Sequence, residues 1–380
     1  MFLRPVNALP QNFVSIQTLR AAAALLVTLF HLSMKMEQVG IHSPILRCFN
    51  AGFGGVDLFF IISGFLITHT SLSKINTPNQ FFAYVRKRLM RIYSFYWLCF
   101  LLATAGLFTL HVFTPSLAWL PFRFESVAIL KAMLLLPTHE GILPVTWTLS
   151  HEIYFYSLFG LLILSRFLLV IPLLILTATL SVSLAPLTEF SGFPRLPFQD
   201  FLFSPFNLEF GFGILSYFIV QRFIIPMPRL LAGLAVVLFF WMGQRIHSSE
   251  IGFRVWGLGL PATVILLSLI QFEKTGRFRC SPWLLKLGDA SYVLYLIHVP
   301  VIMVVTQALV RLNLPAYVLP ANLGLLIGLF WFSGQIHRHV EKPLLTWCNT
   351  LSLNRFGIKG TLIARSGGAF GSENRPVYTK

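Results

Sequence analysis

The stretch VSIQTLRAAAALLVTLFHLSMKM, residues 14–36, is apolar enough to cross a membrane as one helix, since a spanning helix needs about 20 mostly apolar residues. Arg20 and His31 lie well inside it. Their spacing puts both side chains on one helix face, roughly 16 Å apart along the axis. Such groups usually face a bundle interior or a water-filled cavity. Alternatively, Arg20 only extends to the interface and His31 makes one interhelical hydrogen bond.

The rest of the chain contains further apolar segments of similar length. Of its 380 residues, 56% are hydrophobic and 11% are charged, and the mean hydropathy is +0.75, far from the values of soluble proteins. Further apolar segments lie at 51–72, 93–112, 145–165, 167–187, 205–221, 229–244, 255–271, 289–311 and 317–337. We therefore expect an all-α, polytopic integral membrane helical bundle of about ten transmembrane helices.

The basic residues predict an orientation for this bundle, because Lys and Arg near helix ends favour the cytoplasmic side. With the N-terminus inside, fifteen of them up to residue 343 fall on the cytoplasmic side and eight on the outer side. We expect both termini in the cytoplasm, a membrane-embedded domain over 1–343 and a polar, disordered tail over 344–380. The segment 126–137 is too short to cross unaided and is predicted to be re-entrant or interfacial.

Several other classes of protein are disfavoured. The net charge of +16 does not indicate nucleic-acid binding, because the basic residues are scattered between apolar segments and form no basic face. The four cysteines form no CxxC pair, so neither a disulfide framework nor a metal site is expected. The N-terminus lacks the regions of a signal peptide, so the first span is expected to remain in the mature protein. No internal repeat supports an inverted-repeat transporter.

The second apolar segment, GFGGVDLFFIISGFLIT, carries Asp57 at its predicted outer end and Ser63 deeper in the helix. Its glycines and Asp57 are also explained by close helix packing and a capped helix start. The connection that follows, YVRKRLMRIYSFYW, contains Arg86, Arg88 and Arg91. Such a cluster usually anchors anionic lipid, but forked guanidinium groups also suit the phosphates of a cytosolic donor.

The fourth span opens LPVTWTLSHEIYFYSLFG, where Trp147, Ser150 and Tyr156 crowd the outer part of a helix around Glu152. This glutamate either complements the helix dipole or faces His31, orienting and stabilising the imidazole as an acid/base pair requires. Polar residues later in the chain are interpreted as helix-entry packing groups and interface anchors. These are Asp289, Ser291, Tyr292, Tyr295, His298 and Glu341.

Taken together, these stretches resemble the acyltransferase-3 family of integral membrane O-acyltransferases. The resemblance covers most of residues 14–343 and is closest to the exopolysaccharide O-acetyltransferases. It is carried, in order, by Arg20 with ten residues before His31, GGVDLFFIISGFLIT, RKRLMRIYSFYW, WTLSHEIYFY, NLEFGFGILSYFI, LGDASYVLYLIH and VEKP.

The resemblance implies a bacterial inner-membrane enzyme. Members of the family pass an acyl group, commonly acetyl, from a cytosolic coenzyme A thioester to a sugar hydroxyl of exported or surface polysaccharides. Acetyl-CoA is then a donor substrate, no cofactor or metal is bound, and the partners are a saccharide acceptor, membrane lipids and polysaccharide biosynthesis or export proteins. The expected site has His31 and Glu152 as catalytic residues, Arg20, Asp57, Ser63, Trp147, Ser150 and Tyr156 as supporting residues, and Arg86, Arg88 and Arg91 as acyl-CoA contacts.

Two other functions stay open at this level. A polytopic transporter of a saccharide or acylated molecule would also carry Arg, His and Glu inside the membrane. A catalytically silent assembly component of a polysaccharide machine is the third possibility. The transporter would move its substrate without consuming a thioester, which distinguishes it from the enzyme.

Overall fold

The computed structural model describes residues 10, 13–113, 125–137, 142–184, 198–276 and 278–355. All regular structure in these ranges is helical. Lipid offers the backbone no hydrogen-bonding partner, and a helix satisfies its own N–H and C=O groups. The predicted all-α class is therefore confirmed.

The helices follow one another with short connections. They are α1 Val14–Gln38, α2 Pro44–Arg47, α3 Gly55–Ser71, α4 Phe81–Phe113, α5 Ser126–Met133, α6 Trp147–Leu164, α7 Val170–Leu184, α8 Gln199–Leu202, α9 Phe206–Arg222, α10 Pro228–Gly243, α11 Ile251–Arg254, α12 Leu260–Lys274, α13 Pro282–Asp289, α14 Ser291–Arg311, α15 Pro315–Ile336 and α16 Lys342–Arg355. A 3₁₀ segment, Cys48–Gly54, leads into α3, and π-helical turns precede α12 and α16.

Each of the ten predicted spans contains a helix. Within the described ranges, eight helices are long and apolar enough to cross a membrane by length and composition. The other two are α10, with 16 residues, and α6, whose first half carries the polar residues of the fourth predicted span. The segment predicted to be too short forms α5, with 8 residues.

Helix α4 differs most from the prediction. It has 33 residues, and its first turns contain the basic cluster that was predicted to lie in a connection. Arginine and lysine are good helix formers, so the helix begins twelve residues before the apolar segment does. Arg88 and Arg91, three residues apart, are consequently neighbours on one side of the helix, and Arg86 lies on a different side.

Helices α3 and α9 touch through their backbones. A Cβ atom at Gly64 would lie 2.1 Å from the carbonyl oxygen of Phe210, and one at Gly213 would lie 2.0 Å from that of Ile61. Small residues allow such close approach between helices in membranes. This contact fixes α3, which forms one wall of the cavity described below.

The start of α1 is held by a carboxylate from α12. The backbone N–H groups of Val14 and Ser15 donate to Glu273 at 2.8 and 2.9 Å, and the Ser15 hydroxyl donates to it as well. The first N–H groups of a helix have no partner within the helix, and a negative charge complements the dipole there. Glu273 therefore fixes the end of α1 nearest to Arg20.

The described part of the chain after α15 is helical. Helix α15 continues through the π-helical turn His337–Glu341 into α16, which reaches Arg355 and packs against α4. The first twelve residues of the predicted tail are therefore helical. Residues 356–380 lie outside the described ranges.

Candidate active site

The bundle encloses a cavity of about 710 Å³, within the size range of pockets for small ligands. Helices α1, α3, α4, α6 and α14 and the start of α16 form its walls. It is lined by Gln17, Arg20, Val56, Phe59, Phe60, Ile62, Ser63, Leu66, Arg91, Ile92, Thr148, Leu149, Glu152, Asp289, Ser291, Tyr292, Tyr295, His337, Glu341, Lys342, Leu345 and Thr346. Because α3 runs antiparallel to α1, the cavity extends from the start of α1 toward the starts of α3 and α6.

The half of the cavity near the start of α1 contains two guanidinium groups. Arg20 donates a hydrogen bond of 3.3 Å to the side chain of Gln17. In the described part of the chain, neither Arg20 nor Arg91 makes an ion pair. Carboxylates of Asp289 and Glu341 line the same half, and Glu341 is bonded to His337 at 2.6 Å. Two unpaired guanidinium groups favour an anionic ligand with several acceptor oxygens.

The other two arginines predicted to contact the donor do not line this cavity. Arg88 is only 8% exposed, and it donates to Thr70 at 2.6 Å, which ties α4 to the end of α3. Its guanidinium also lies 5.2 Å from the ring centre of Tyr156. Arg86 is on a different side of α4, because residues five apart on a helix do not share a face. Only Arg91 of the predicted cluster faces the cavity.

Glu152, in the second turn of α6, also lines the cavity. Its Oε1 accepts a hydrogen bond from the hydroxyl of Tyr156, one turn later on α6, and a long one of 3.5 Å from Ser63 on α3. Three of the predicted site residues are thus brought together here, with the carboxylate facing the cavity.

His31 is not in contact with Glu152 and does not line the cavity. Its Nδ1 lies 2.8 Å from the carbonyl oxygen of Val27 and 3.2 Å from Nε2 of His298 on α14. The predicted pair of His31 and Glu152 is therefore not formed, because α14, and not α6, packs against this part of α1. The His298 ring is 5.9 Å from that of Tyr295, which does line the cavity.

Asp57 lies outside the cavity in a buried ion pair. Nε and Nη2 of Arg254 donate to its carboxylate at 2.9 and 2.7 Å, and both side chains are almost fully buried. Glu209, also fully buried, has two carboxyl oxygens with no hydrogen-bond partner in the described ranges. Asp57 therefore does not line the cavity, and its carboxylate is held in a buried pair with Arg254. Removing one partner of such a pair costs about 3–5 kcal/mol.

Trp147 and Ser150 also lie beside the cavity and not in it. The Trp147 ring packs at 5.4 Å from Phe206 and at 5.6 Å from His151. Ser150 is buried, and its hydroxyl has no partner among the described residues. Both residues belong to the packing of α6 against its neighbours.

The sequence interpretation missed several residues of the cavity wall. Asp289, Tyr292 and Glu341, interpreted as structural, all line the cavity, and so does Tyr295, whose hydroxyl lies 2.9 Å from that of Thr148. A signal was present for two of them: Tyr292 and Tyr295 on α14 are three apart, and residues at that spacing are neighbours on a helix surface. Two polar side chains so arranged in an apolar segment indicate a lined cavity.

A family model described as an acyltransferase domain, acyltransferase-3, matches residues 13–334. The chain belongs to the acyltransferase-3 family. The match includes α1 to α14, and so 17 of the 22 residues that line the cavity. The lining residues between His337 and Thr346 lie beyond residue 334, where the family match ends.

Two relatives are similar to this acyltransferase-3 chain over most of its length. It is 31% identical over 344 residues to the exopolysaccharide production protein ExoZ of Rhizobium meliloti, covering 83% of this chain and 94% of that protein. It is 27% identical over 352 residues to the O-acetyltransferase OatA of Staphylococcus aureus, covering 81% of this chain. The chain spans about half, 54%, of the length of OatA. No solved structure matches the chain.

Proposed function

We propose that this membrane acyltransferase takes an acetyl group from cytosolic acetyl-CoA and transfers it to a sugar hydroxyl of an exported or surface polysaccharide, or of its lipid-linked precursor. The observation that carries the proposal is that Arg20, Arg91 and Glu152 line one cavity in a member of the acyltransferase-3 family.

The donor binds in the half of the cavity that holds the two guanidinium groups. Coenzyme A carries phosphates, and arginine forks bind phosphate oxygens bidentately. The distribution of Lys and Arg supports a cytoplasmic location for this end, and the proposal places both termini on the same side. The pantetheine arm extends along the cavity toward Glu152 and Tyr295, so the charged nucleotide never has to cross the bilayer.

The reaction occurs beside Tyr295, the cavity residue next to the pair of His298 and His31. A sugar hydroxyl is a weak nucleophile, so a base within hydrogen-bonding reach accelerates its attack. His31 takes the proton of the acceptor hydroxyl, the new C–O ester bond forms, the C–S bond of the thioester breaks, and the thiolate leaves and is protonated. Glu152 lies in the cavity beside the incoming acyl group, together with Ser63 and Tyr156.

The acceptor is proposed from the names of the two relatives. The name of ExoZ refers to exopolysaccharide production and that of OatA to O-acetyl transfer. A bacterial cytoplasmic membrane is the compartment in which a cytosolic thioester and an exported saccharide meet. Membrane lipids and proteins of polysaccharide synthesis or export are the expected partners.

The test compares the surface polysaccharide of cells that lack this protein with that of cells complemented by the wild type or by His31→Ala. Mass spectrometry measures O-acetyl groups per sugar residue. We expect acetylation only with the wild type, and immunoblotting of membranes controls for equal expression.

A second measurement decides between the enzyme and the transporter. Purified protein in liposomes receives [14C]acetyl-CoA and polysaccharide from the deletion strain, and thiol release is followed with label transfer. An enzyme releases one thiol for each acetyl group transferred. Saccharide movement without thiol release would overturn the proposal in favour of transport.

A further inference from the structure

The contact between His31 and His298 joins α1 to α14 beside the cavity. His298 is fully buried, and its Nε2 faces Nδ1 of His31 at 3.2 Å. The two rings are inclined at 65° with centres 5.0 Å apart. His31, in contrast, is partly exposed, and within the described ranges both hydrogen bonds of its ring involve Nδ1.

Backbone carbonyl groups determine which nitrogen of each ring carries the proton. Nδ1 of His298 lies 3.1 Å from the carbonyl oxygen of Leu294, and Nδ1 of His31 lies 2.8 Å from that of Val27. A carbonyl oxygen only accepts hydrogen bonds, so both Nδ1 atoms are donors and, in a neutral ring, both Nε2 atoms hold a lone pair. The Nδ1–H of His31 therefore points to two acceptors, the Val27 carbonyl and Nε2 of His298.

We propose that His298 is a positioning residue that holds the His31 ring with its Nε2 free to act as the base, and that stabilises the imidazolium formed when His31 takes the proton of the acceptor hydroxyl. This inference rests on the proposed function. It gives His298 the role of orienting group, which the sequence interpretation had assigned to Glu152.

The role follows from how the proton moves. When the acceptor proton reaches Nε2 of His31, the ring becomes positively charged and its Nδ1–H becomes a stronger donor. The lone pair on Nε2 of His298 receives that stronger bond without taking the proton. A third group that orients the base is the general arrangement of nucleophile activation. The proton then leaves Nε2 of His31 for the thiolate of coenzyme A, which restores the neutral ring.

Burial supports a neutral His298. The ring is surrounded by protein, and no carboxylate forms an ion pair with it among the described residues. Charging such a group is costly. A neutral acceptor beside His31 favours the imidazolium, whereas a second cation there would disfavour it.

The experiment compares two substitutions of His298, one without and one with a hydrogen-bond acceptor in its side chain. His298→Leu removes the acceptor and keeps an apolar side chain, whereas His298→Gln keeps an amide oxygen within reach of the former Nε2 position. Turnover is measured with purified protein in liposomes, [14C]acetyl-CoA and the unacetylated polysaccharide of the deletion strain. Donor binding by calorimetry and the melting temperature are measured on the same samples.

We expect His298→Leu to lower turnover by about 10- to 100-fold, the usual effect of removing a group that orients a functional imidazole. Donor affinity and melting temperature should stay at the wild-type values. His298→Gln should recover most of the lost turnover. Equal turnover in the Leu variant and the wild type, or equal losses in the Leu and Gln variants, would overturn the proposal.

His151 provides the matched control. It is buried, and its Nδ1 also bonds to a carbonyl four residues earlier, that of Trp147 at 3.1 Å, but it does not contact His31. His151→Leu should keep wild-type turnover. A loss equal to that of His298→Leu would mean that any buried imidazole is needed for packing, which contradicts a specific role for His298.

The His31→Ala background separates this inference from the proposed function. If His298 acts through His31, adding His298→Leu to His31→Ala should not reduce the residual rate further, because residues that act as a unit are not additive. A further fall would contradict the positioning role. If His31→Ala itself kept full activity, the proposed catalytic function would fail first.

Discussion

Arg88 and Arg91 are one helical turn apart on α4 but have different surroundings. Arg91 faces the cavity without an ion pair in the described chain, while Arg88 is buried against α3 and the Tyr156 ring. The sequence alone does not distinguish these two arginines, since both belong to the basic stretch RKRLMR. The structure separates a group available to a ligand from one already used in packing.

Arg91→Ala should weaken binding of acetyl-CoA, because it removes a guanidinium group that faces the cavity, and should leave the melting temperature unchanged. A loss of about 10-fold in affinity is expected for one charge-assisted contact of roughly 1.5 kcal/mol. Isothermal titration of detergent-solubilised protein with coenzyme A measures it. Arg88→Ala is the comparison variant and should chiefly lower the melting temperature, since it leaves a cavity between α3 and α4. Unchanged coenzyme A affinity in Arg91→Ala would contradict the assignment of the donor site.

At the scale of helices, α3 and α9 pack so closely that no side-chain atom fits at Gly64 or Gly213. Gly213→Val should reduce the yield of folded protein and lower its melting temperature, because its Cβ would lie 2.0 Å from a backbone carbonyl oxygen. Overpacking of this kind costs about 1–3 kcal/mol, or more where backbone must move. Fluorescence-detected size exclusion after heating measures the change.

Gly233 on α10 is the control for this substitution, because a Cβ there would meet nothing within 4 Å. Gly233→Val should keep the wild-type melting temperature within the error of the method. Equal stability of the two variants would show that α3 and α9 are not in direct backbone contact.

Helix positions could be predicted from the sequence better than helix ends. Runs of apolar residues identify membrane helices because the bilayer forces the backbone to bond internally. The first turns of α4 and all of α16 were missed, since both are polar and lack the apolar run that identifies a span. Their helical state depends on packing against neighbouring helices, which a search for apolar segments does not detect.

At the scale of the whole molecule, the sequence predicted a polar cavity but not which residues share it. Arg20 lines the cavity, whereas His31, on the same helix face, is directed to α14. Helix periodicity fixes the direction of a side chain on its own helix. Which neighbour it meets depends on how the helices pack in the bundle, and this packing brings His298, and not Glu152, into contact with His31.

The orientation can be tested with the natural cysteines. Cys48 is exposed just before α3, on the predicted outer side, and Cys280 lies between α12 and α13 on the predicted cytoplasmic side. In spheroplasts, a membrane-impermeant maleimide should label Cys48 in a variant with the other three cysteines changed to serine. A variant that keeps only Cys280 should be labelled only after permeabilisation, and the reverse pattern would invert the topology.

The helix after residue 341 has a practical consequence for protein engineering. The family match ends at residue 334, yet Leu345 and Thr346 on α16 still belong to the cavity wall. A truncated gene product ending at the family boundary would leave the cavity open on the side of α4. Expression vectors for this enzyme should therefore encode at least residues 1–355 and carry any affinity tag beyond that point.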